Sequence, residues 1–211
     1  APLVRLRARA MQDAVPVGVG AMAAVLGLDA HKVVAICAEV TASFGVDSTE
    51  LVQAANFNDP AQTVIAGSKA AVERACEVLK AGGVRRALSL PVSAPFHSSL
   101  MRPAAEKLRE ALALVDLKAP AIALVNNVDV AVESEAGRIR DALYRQAFGP
   151  VRWVECMQAI RARGVTTVVE CGPGKGLSGM VARIDASMVG MALFDPASLA
   201  GAEAALQGAA T

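Results

Sequence analysis

Aromatic residues and histidines are scarce in this sequence. Only 3% of its 211 residues are aromatic and two are histidines, whereas 54% are hydrophobic, mostly Ala, Val and Leu. The two histidines and the four cysteines are far apart and include no CxxC pair, so the usual spacing of a zinc site is lacking. The aliphatic excess argues against disorder and is typical of a well-buried α/β protein.

An excess of one charge and long apolar runs are lacking as well. The formal net charge of +1 predicts no strong electrostatic attraction to nucleic acid or to a membrane surface. No apolar run approaches the roughly 20 residues needed to span a bilayer, and the first residues do not form a signal-peptide pattern. The cysteines are expected to be buried, reduced thiols in a cytoplasmic protein. They are Cys37, Cys76, Cys156 and Cys171.

The first half of the chain predicts one β-α-β-β-α-β unit. A helix is predicted over residues 1–13, then strands over 18–26, 51–56, 63–66 and 84–90, and helices over 29–44 and 68–81. Ser68 is expected to cap the second of these helices, and residues 56–60 are expected to form a turn. His31 is expected on the surface of the first. This order is that of a split βαβ, ferredoxin-like unit over residues 18–90.

The second half predicts longer alternation of strands and helices. Strands are predicted over 121–128, 166–170 and 188–194, the last of them buried, and helices over 98–115, 135–148, 151–163 and 177–184 and in the Ala-rich tail. Such alternation implies a mainly parallel sheet. Because so few strands are present, we expect an exposed apolar sheet edge and poor solubility for these 211 residues alone.

His97 is the first candidate for chemistry. It lies in PVSAPFHSSLM (residues 91–101), where strand-like alternation changes to a helical pattern. Imidazole titrates near neutral pH, so this histidine is a candidate general base, and a packed or capping histidine is the structural alternative. No GxSxG elbow occurs, and Ser98 and Ser99 are poorly placed to reach the adjacent ring. The candidate base therefore lacks an obvious nucleophile.

A glycine-rich loop is the second candidate. Gly174, Gly176 and Gly179 form GxGxxG between a predicted strand and a helix, and Asp195 follows at the spacing of a dinucleotide-binding fingerprint. Two observations argue against this interpretation. The sequence offers a single βαβ unit at this motif, and Pro173 interrupts the loop. A glycine-rich helix start that faces an anion is the alternative.

Several motifs, taken in chain order, resemble malonyl-CoA:acyl-carrier-protein transacylases of fatty-acid biosynthesis. They are RARAMQ (7–12), NFNDPAQ (56–62), APFHSSLM (94–101), VNNVD (125–129), ALYRQ (142–146) and ECGPGK (170–175). The resemblance covers essentially the whole chain. It implies an α/β fold with an α/β-hydrolase-like large subdomain, residues 1–17 and 91–211, into which a ferredoxin-like small subdomain, residues 18–90, is inserted.

The resemblance also implies a reaction and its residues. The family moves a malonyl group from malonyl-CoA to the phosphopantetheine thiol of acyl carrier protein by a Ser-His ping-pong mechanism, with no cofactor beyond the coenzyme A thioester substrate. His97 matches the general base, and Gln146 matches the residue whose backbone carbonyl orients it. Arg7 matches the arginine that binds the malonyl carboxylate, and Phe96 matches a bulky position that favours malonyl over α-branched groups.

The departure from the family is large. Its serine elbow (GHSLGE) and its GQGSQ oxyanion-hole segment precede the equivalent of Arg7, and neither occurs in this sequence. The chain is therefore expected to be the C-terminal portion of the enzyme, inactive alone and partnered by the missing N-terminal segment. A non-catalytic fragment that binds the carrier protein is the alternative. Arg85, Arg86 and Lys175 are expected either to form a basic rim for carrier protein and coenzyme A or to be ordinary solvated charges.

Overall fold

The computed structural model describes residues 2–208, apart from the side chains of residues 206–208. Residue 1 and residues 209–211 lie outside the described residues. The helices predicted at the two ends of the chain and the outer bounds of the predicted large subdomain include them. The chain divides into two compact units, Ala1–Trp153 and Val154–Thr211. None of the described helices is long and apolar enough to cross a bilayer.

The first unit begins with a helix and continues with the predicted β-α-β-β-α-β order. Its elements are α1 (Pro2–Asp13), β1 (Gly20–Leu26), α2 (Ala30–Ser43), β2 (Val52–Asp59), β3 (Gln62–Ser68), α3 (Lys69–Ala81) and β4 (Arg86–Ser89), followed by a 3₁₀ turn (Ser99–Met101), α4 (Arg102–Ala113) and α5 (Ala136–Gln146). The predicted order of the first half is thus confirmed, and His31 is exposed on α2 as expected.

The four strands form one antiparallel sheet in the order β2-β3-β1-β4. Residues of β1 alternate between the two faces of this sheet, as the period of a strand requires. Ala23 and Val25 belong to a buried cluster with Val33 of α2 and Leu79 of α3, whereas Met22 of β1 belongs to a separate cluster on the opposite face. One face therefore carries the helices, and the other is available to a different part of the unit.

That second face contains small side chains. Ala24, Ala55 and Ala66 are buried there, and Phe96 packs against them. Phe96 also packs against the cluster formed by α1 and α4, which includes Met11. This single aromatic ring thus joins the helical layer to the sheet.

Two predictions about local structure are wrong. Residues 56–59 are not a turn, because β2 continues to Asp59 through two register shifts and Phe57 N donates to Val151 O at 2.9 Å. Residues 121–128 are not a strand, and only an isolated bridge joins Val125 to Val132. No strand pairs with this segment in the part of the chain that the structure describes, and Ile122 is 83% exposed.

The predicted cap of α3 is correct in position but not in bonding. Ser68 occupies the N-cap position without a side-chain hydrogen bond to the helix. Its hydroxyl instead donates to the carboxylate of Glu50 and accepts from Leu51 N at 3.2 Å. Ser68 thus ties the end of β3 to the segment that leads into β2.

The second unit contains a two-stranded parallel sheet. Its elements are α6 (Trp153–Ala162, whose first residue belongs to the first unit), β5 (Thr167–Cys171), α7 (Ser178–Ile184), β6 (Val189–Leu193) and α8 (Pro196–Gly208). The predicted parallel pairing is confirmed. The expectation that β6 is a buried strand is wrong, because Val189 is 58% exposed and the rest of the strand is half-buried.

The four cysteines carry free thiols. Cys37 and Cys156 are buried and Cys76 is half-buried, but Cys171 is exposed, so burial was wrongly expected for it. Burial raises the pKa of the Cys37 thiol to about 12, which keeps it protonated and unreactive at neutral pH.

The helix-covered face should account for much of the stability of the first unit. Leu79 is fully buried there, so Leu79→Ala should lower the free energy of unfolding by about 2–5 kcal/mol through lost burial and a residual cavity. Leu88→Ala is the matched control, because Leu88 is 48% exposed on β4 and should cost about 0.5 kcal/mol or less. Urea unfolding measures both. Equal losses would contradict this account of the core.

Candidate active site

The backbone around His97 is fixed by close packing against β1. A Cβ added at Gly20 would lie 2.3 Å from Pro95 Cδ, so only glycine permits this approach. Ser98 is fully buried, and its hydroxyl donates to Pro95 O at 2.7 Å. His97 lies between them at φ +61°, a left-handed conformation that costs a non-glycine residue about 1–3 kcal/mol. The surrounding contacts hold the histidine in this conformation.

The His97 ring is held by two backbone carbonyls. Nδ1 lies 3.3 Å from Gln146 O and 3.2 Å from Gly149 O, at the end of α5 and in the turn after it. Both partners are acceptors, so Nδ1 carries the proton and Nε2 is the nitrogen with the free lone pair. This is the tautomer that a general base requires. The carbonyl of Gln146, predicted as the orienting group, is joined by that of Gly149, which sequence reasoning missed.

Gln146 also contacts Arg7 through its side chain. Arg7 Nη2 donates to Gln146 Oε1 at 2.8 Å. No carboxylate among the described residues forms a salt bridge with Arg7, so the guanidinium is half-buried with a neutral partner. A half-buried cation of this kind has donors available for an anion that enters the site.

These groups border one cavity of about 630 Å³. Its lining is Arg7, Ala8, Met11, Gln12, Met22, Asn56, Asn58, Val64, Leu90, Val92, Phe96 and His97. The second face of the sheet supplies an apolar wall that includes Met22 and Val64, while α1 supplies the cation. The structure therefore brings together Arg7, Phe96 and His97 around one space, with Gln146 bonded to two of them.

Burial and charge set the protonation of this site. Burial lowers the pKa of His97 below its ordinary value of 6.5, and the positive charge of Arg7 lowers that pKa further. The carbonyls of Gln146 and Gly149 act in the opposite direction, because they stabilise the protonated ring. Burial also lowers the pKa of Arg7, which nevertheless stays protonated at neutral pH. The site thus holds a neutral base beside a permanent cation.

The nearby serines are not nucleophiles for this base. The Ser98 hydroxyl is bonded to Pro95 O, and Ser99 is held through its backbone N, which donates to Gln53 Oε1 at 2.8 Å. Neither hydroxyl is hydrogen-bonded to the imidazole, in agreement with the sequence-based expectation. Within the described residues no group of His, Cys, Asp and Glu side chains could hold a metal ion.

The predicted basic rim lies outside this cavity. Arg85 and Arg86 are exposed at the start of β4, and neither lines the cavity in the described part of the chain. Lys175 belongs to the second unit, where its ammonium lies 4.8 Å from the centre of the Phe194 ring. A role for these three charges stays a prediction.

The glycine-rich loop already holds an internal anion. Glu170 Oε2 accepts from Ser178 N at 2.8 Å, and backbone N–H groups of Ser178, Leu177 and Gly176 hold the pKa of that carboxyl below its usual range. The amides that would approach a pyrophosphate are therefore occupied. This speaks against dinucleotide binding by Gly174, Gly176 and Gly179 and agrees with the alternative of a helix start that faces an anion.

Sequence reasoning also missed Asn56 and Asn58. Both line the cavity, although their segment was expected to be a turn. Their spacing of two is the period that places residues on one side of a strand, and this was the available signal. Gly149-Pro150 is a dipeptide typical of turns, which could have marked Gly149 as a source of free carbonyls after α5.

Comparison with known proteins agrees with the geometry. The model of the family described as acyl transferase domain matches residues 2–184. The malonyl CoA-acyl carrier protein transacylase of Salmonella typhimurium is 46% identical over 200 residues, 95% of this chain and 63% of the relative. The chain therefore spans less than two thirds of the length of this curated relative.

Solved structures give the same result. An acyl-carrier-protein S-malonyltransferase from Burkholderia pseudomallei has a TM-score of 0.90 and 63% identity, covering 95% of this chain and 64% of that one. A malonyl-transacylase in complex with a type II PKS acyl-carrier protein has a TM-score of 0.89 and 45% identity, covering 94% of this chain and 62% of that one. These findings and the match over residues 2–184 show that the chain belongs to the acyl transferase domain family.

Proposed function

We propose that this chain supplies the general base and the carboxylate-binding arginine of a malonyl-CoA:acyl-carrier-protein transacylase of fatty-acid biosynthesis. One observation carries the proposal. Gln146 bonds Arg7 with its side chain and His97 with its backbone, so a neutral base and a cation are tied to the same residue at one cavity. A base alone suits many reactions, but a base beside a half-buried cation suits an acyl group that ends in a carboxylate.

The first half-reaction forms an acyl-enzyme. His97 Nε2 takes the proton of a serine hydroxyl, and the serine oxygen attacks the thioester carbonyl of malonyl-CoA. The C–S bond then breaks, and the coenzyme A thiolate receives the proton from His97. The guanidinium of Arg7 binds the distal malonyl carboxylate throughout, while Phe96 limits the space available for an α-branched group.

The second half-reaction uses the same groups in reverse. His97 removes the proton from the carrier-protein thiol, which attacks the serine ester and leaves malonyl bound as a thioester. The ester C–O bond breaks, and the serine oxygen regains its proton from His97. A malonyl-transacylase of 45% identity was solved with an acyl-carrier protein, which supports a carrier protein as the acceptor.

The nucleophile is placed outside these 211 residues. No GxSxG elbow occurs in the sequence, and this chain matches 63% of the Salmonella typhimurium relative. We propose that residues 1–17 and 91–211 are part of an α/β-hydrolase-like large subdomain and that residues 18–90 are the small subdomain. The four-stranded sheet with α2 and α3 is then the inserted ferredoxin-like subdomain.

The 211-residue chain alone should form no malonyl-enzyme. Incubation with malonyl-CoA, followed by intact-protein mass spectrometry, should show the unmodified mass, because a base and an anion site cannot replace a nucleophile. The full-length Salmonella typhimurium relative is the positive control. A stoichiometric malonyl adduct on this chain would falsify the placement of the nucleophile.

Arg7 should govern substrate affinity in an active enzyme that contains this chain. Arg7→Lys keeps the charge but loses the planar fork that binds a carboxylate through two bonds. KM for malonyl-CoA should therefore rise by about tenfold to a hundredfold, which corresponds to the loss of one charge-assisted hydrogen bond. Arg9→Lys, at an exposed position on the same helix, is the matched control and should leave KM unchanged. Equal effects of the two changes on KM would count against a carboxylate site at Arg7.

The pH dependence should follow His97. Only the neutral ring accepts a proton, and burial holds its pKa below the ordinary 6.5, so the acid limb of kcat/KM should be centred below pH 6.5. Arg7→Gln removes a charge that lowers this pKa, so the acid limb should move to higher pH. A wild-type limb centred above 6.5, or a shift in the other direction in the variant, would contradict the assignment.

A further inference from the structure

The VNNVD motif forms a closed turn that no step of the proposed reaction uses. We call residues 126–131 the Asn126 loop. Asn126 closes it, because its side-chain Oδ1 accepts from Asp129 N at 2.8 Å and its Nδ2 donates to Ala131 O at 3.0 Å. Val130 lies at φ +61° within this turn. The hydrogen bonds fix the backbone from which Asp129 projects.

Asp129 binds the last turn of α5 through two bonds. Its carboxylate receives Nη1 and Nη2 of Arg145, the second at 2.8 Å from Oδ2, in a bidentate pair. Arg145 Nε also donates to Asp141 Oδ2 at 2.6 Å, but Asp141 belongs to α5 itself. Of these Arg145 bonds, the two to Asp129 therefore link the helix to the Asn126 loop. Arg145 directly precedes Gln146, whose carbonyl holds His97.

The Asn126 loop contacts the next residues as well. A Cβ added at Gly149 would lie 3.0 Å from Val128 Cγ2, so the two residues pack closely. Arg152 N donates to Asn127 O at 2.9 Å. The loop thus supports the chain at residues 145, 149 and 152, and both carbonyls that hold His97 lie within that span.

From these contacts we infer that Asp129 and Arg145 are positioning residues for His97. They fix the carbonyls of Gln146 and Gly149 against the Asn126 loop and thereby hold the ring in its Nδ1–H form. This inference rests on the proposed function, since it gives the pair a role in the same reaction. Among the described residues, neither Asp129 nor Arg145 lines the cavity or forms a hydrogen bond with the His97 ring.

The pair is suited to this role although it is partly exposed. Isolated surface ion pairs contribute little, but a bidentate arginine–carboxylate pair is geometrically specific. The Arg145 guanidinium lowers the pKa of Asp129, so the carboxylate stays charged well below neutral pH. The pair is expected to affect the reaction rate, through the position of His97, more than the free energy of unfolding. Small displacements of a catalytic group reduce rates strongly.

¹⁵N NMR of the 211-residue chain tests the inference directly, with the chain joined to a histidine-free fusion partner that offsets the poor solubility expected of it alone. The chain has two histidines, so the exposed His31 is an internal reference for His97. In the ¹⁵N-labelled variants Asp129→Asn and Arg145→Gln, the Nδ1–H population of His97 should fall. The association constant of the His97 ring for a proton should also fall about threefold, which is a lower pKa, because the carbonyls of Gln146 and Gly149 hold Nδ1 less well. His31 should not change.

The two variants separate positioning from charge. A long-range charge effect would move the pKa of His97 down in Asp129→Asn and up in Arg145→Gln, whereas lost positioning moves it down in both. Asp141→Asn is the matched control, since it removes a carboxylate from the same arginine without cutting the link to the loop, and should match wild type. If either variant fails to fold, Arg145→Lys keeps the charge and removes only the bidentate fork. An unchanged His97 spectrum in folded variants, or opposite shifts, overturns the inference.

Kinetics distinguish this inference from the proposed function. In an active enzyme that contains the chain, Asp129→Asn should lower kcat by about tenfold to a hundredfold with little change in KM. If His97→Ala retains full activity, the proposed function fails whatever the NMR result. If His97 is essential but the NMR spectra of the Asp129 and Arg145 variants match wild type, the positioning inference alone fails.

Discussion

The candidate site depends on how one imidazole nitrogen is held. Nδ1 of His97 faces two carbonyls at 3.2–3.3 Å, and a ring with that nitrogen protonated leaves Nε2 as the proton acceptor. Neither carbonyl comes from a regular ladder, because both lie where α5 ends and its last C=O groups have no helical partner. The end of a helix thus fixes the tautomer and orientation of the imidazole, a role that a third side chain has in Ser-His-Asp triads. The left-handed backbone of His97 is the local cost of bringing the ring there.

The cavity beside His97 is bounded by one face of the antiparallel sheet. The opposite face is covered by α2 and α3 through a buried cluster that includes Val33 and Leu79. Met22 and Val64 belong to the cluster on the cavity side and contribute to the cavity lining, and Arg7 of α1 supplies a charge there. Packing and chemistry are therefore linked, because the same sheet holds its helices on one face and bounds the cavity with the other.

Much of this arrangement could be predicted from the sequence. Alternation in β1 and β3 and the glycines after α3 gave the order of the antiparallel unit, and the family resemblance selected Arg7, His97 and Gln146. The strand expected over residues 121–128 failed because periodicity cannot show whether a partner strand is available. The turn expected at Asn56 failed because β2 stays paired with β3 to Asp59, and an isolated bridge to Val151 adds a contact from nearly a hundred residues away. The Gly149-Pro150 dipeptide marked a turn but not the bond between Gly149 and His97, and the left-handed φ of His97 arises from tertiary contacts without a local signal.

A crystal structure of an active enzyme that contains this chain, bound to a non-hydrolysable malonyl thioester, tests the central claim most directly. The account predicts that the malonyl carboxylate receives two hydrogen bonds from Arg7 at about 2.7–2.9 Å, with the thioester carbon beside Nε2 of His97. It also predicts that Gln146 keeps both of its contacts. A carboxylate bound elsewhere, or Arg7 paired with a protein carboxylate while the ligand is present, would contradict it.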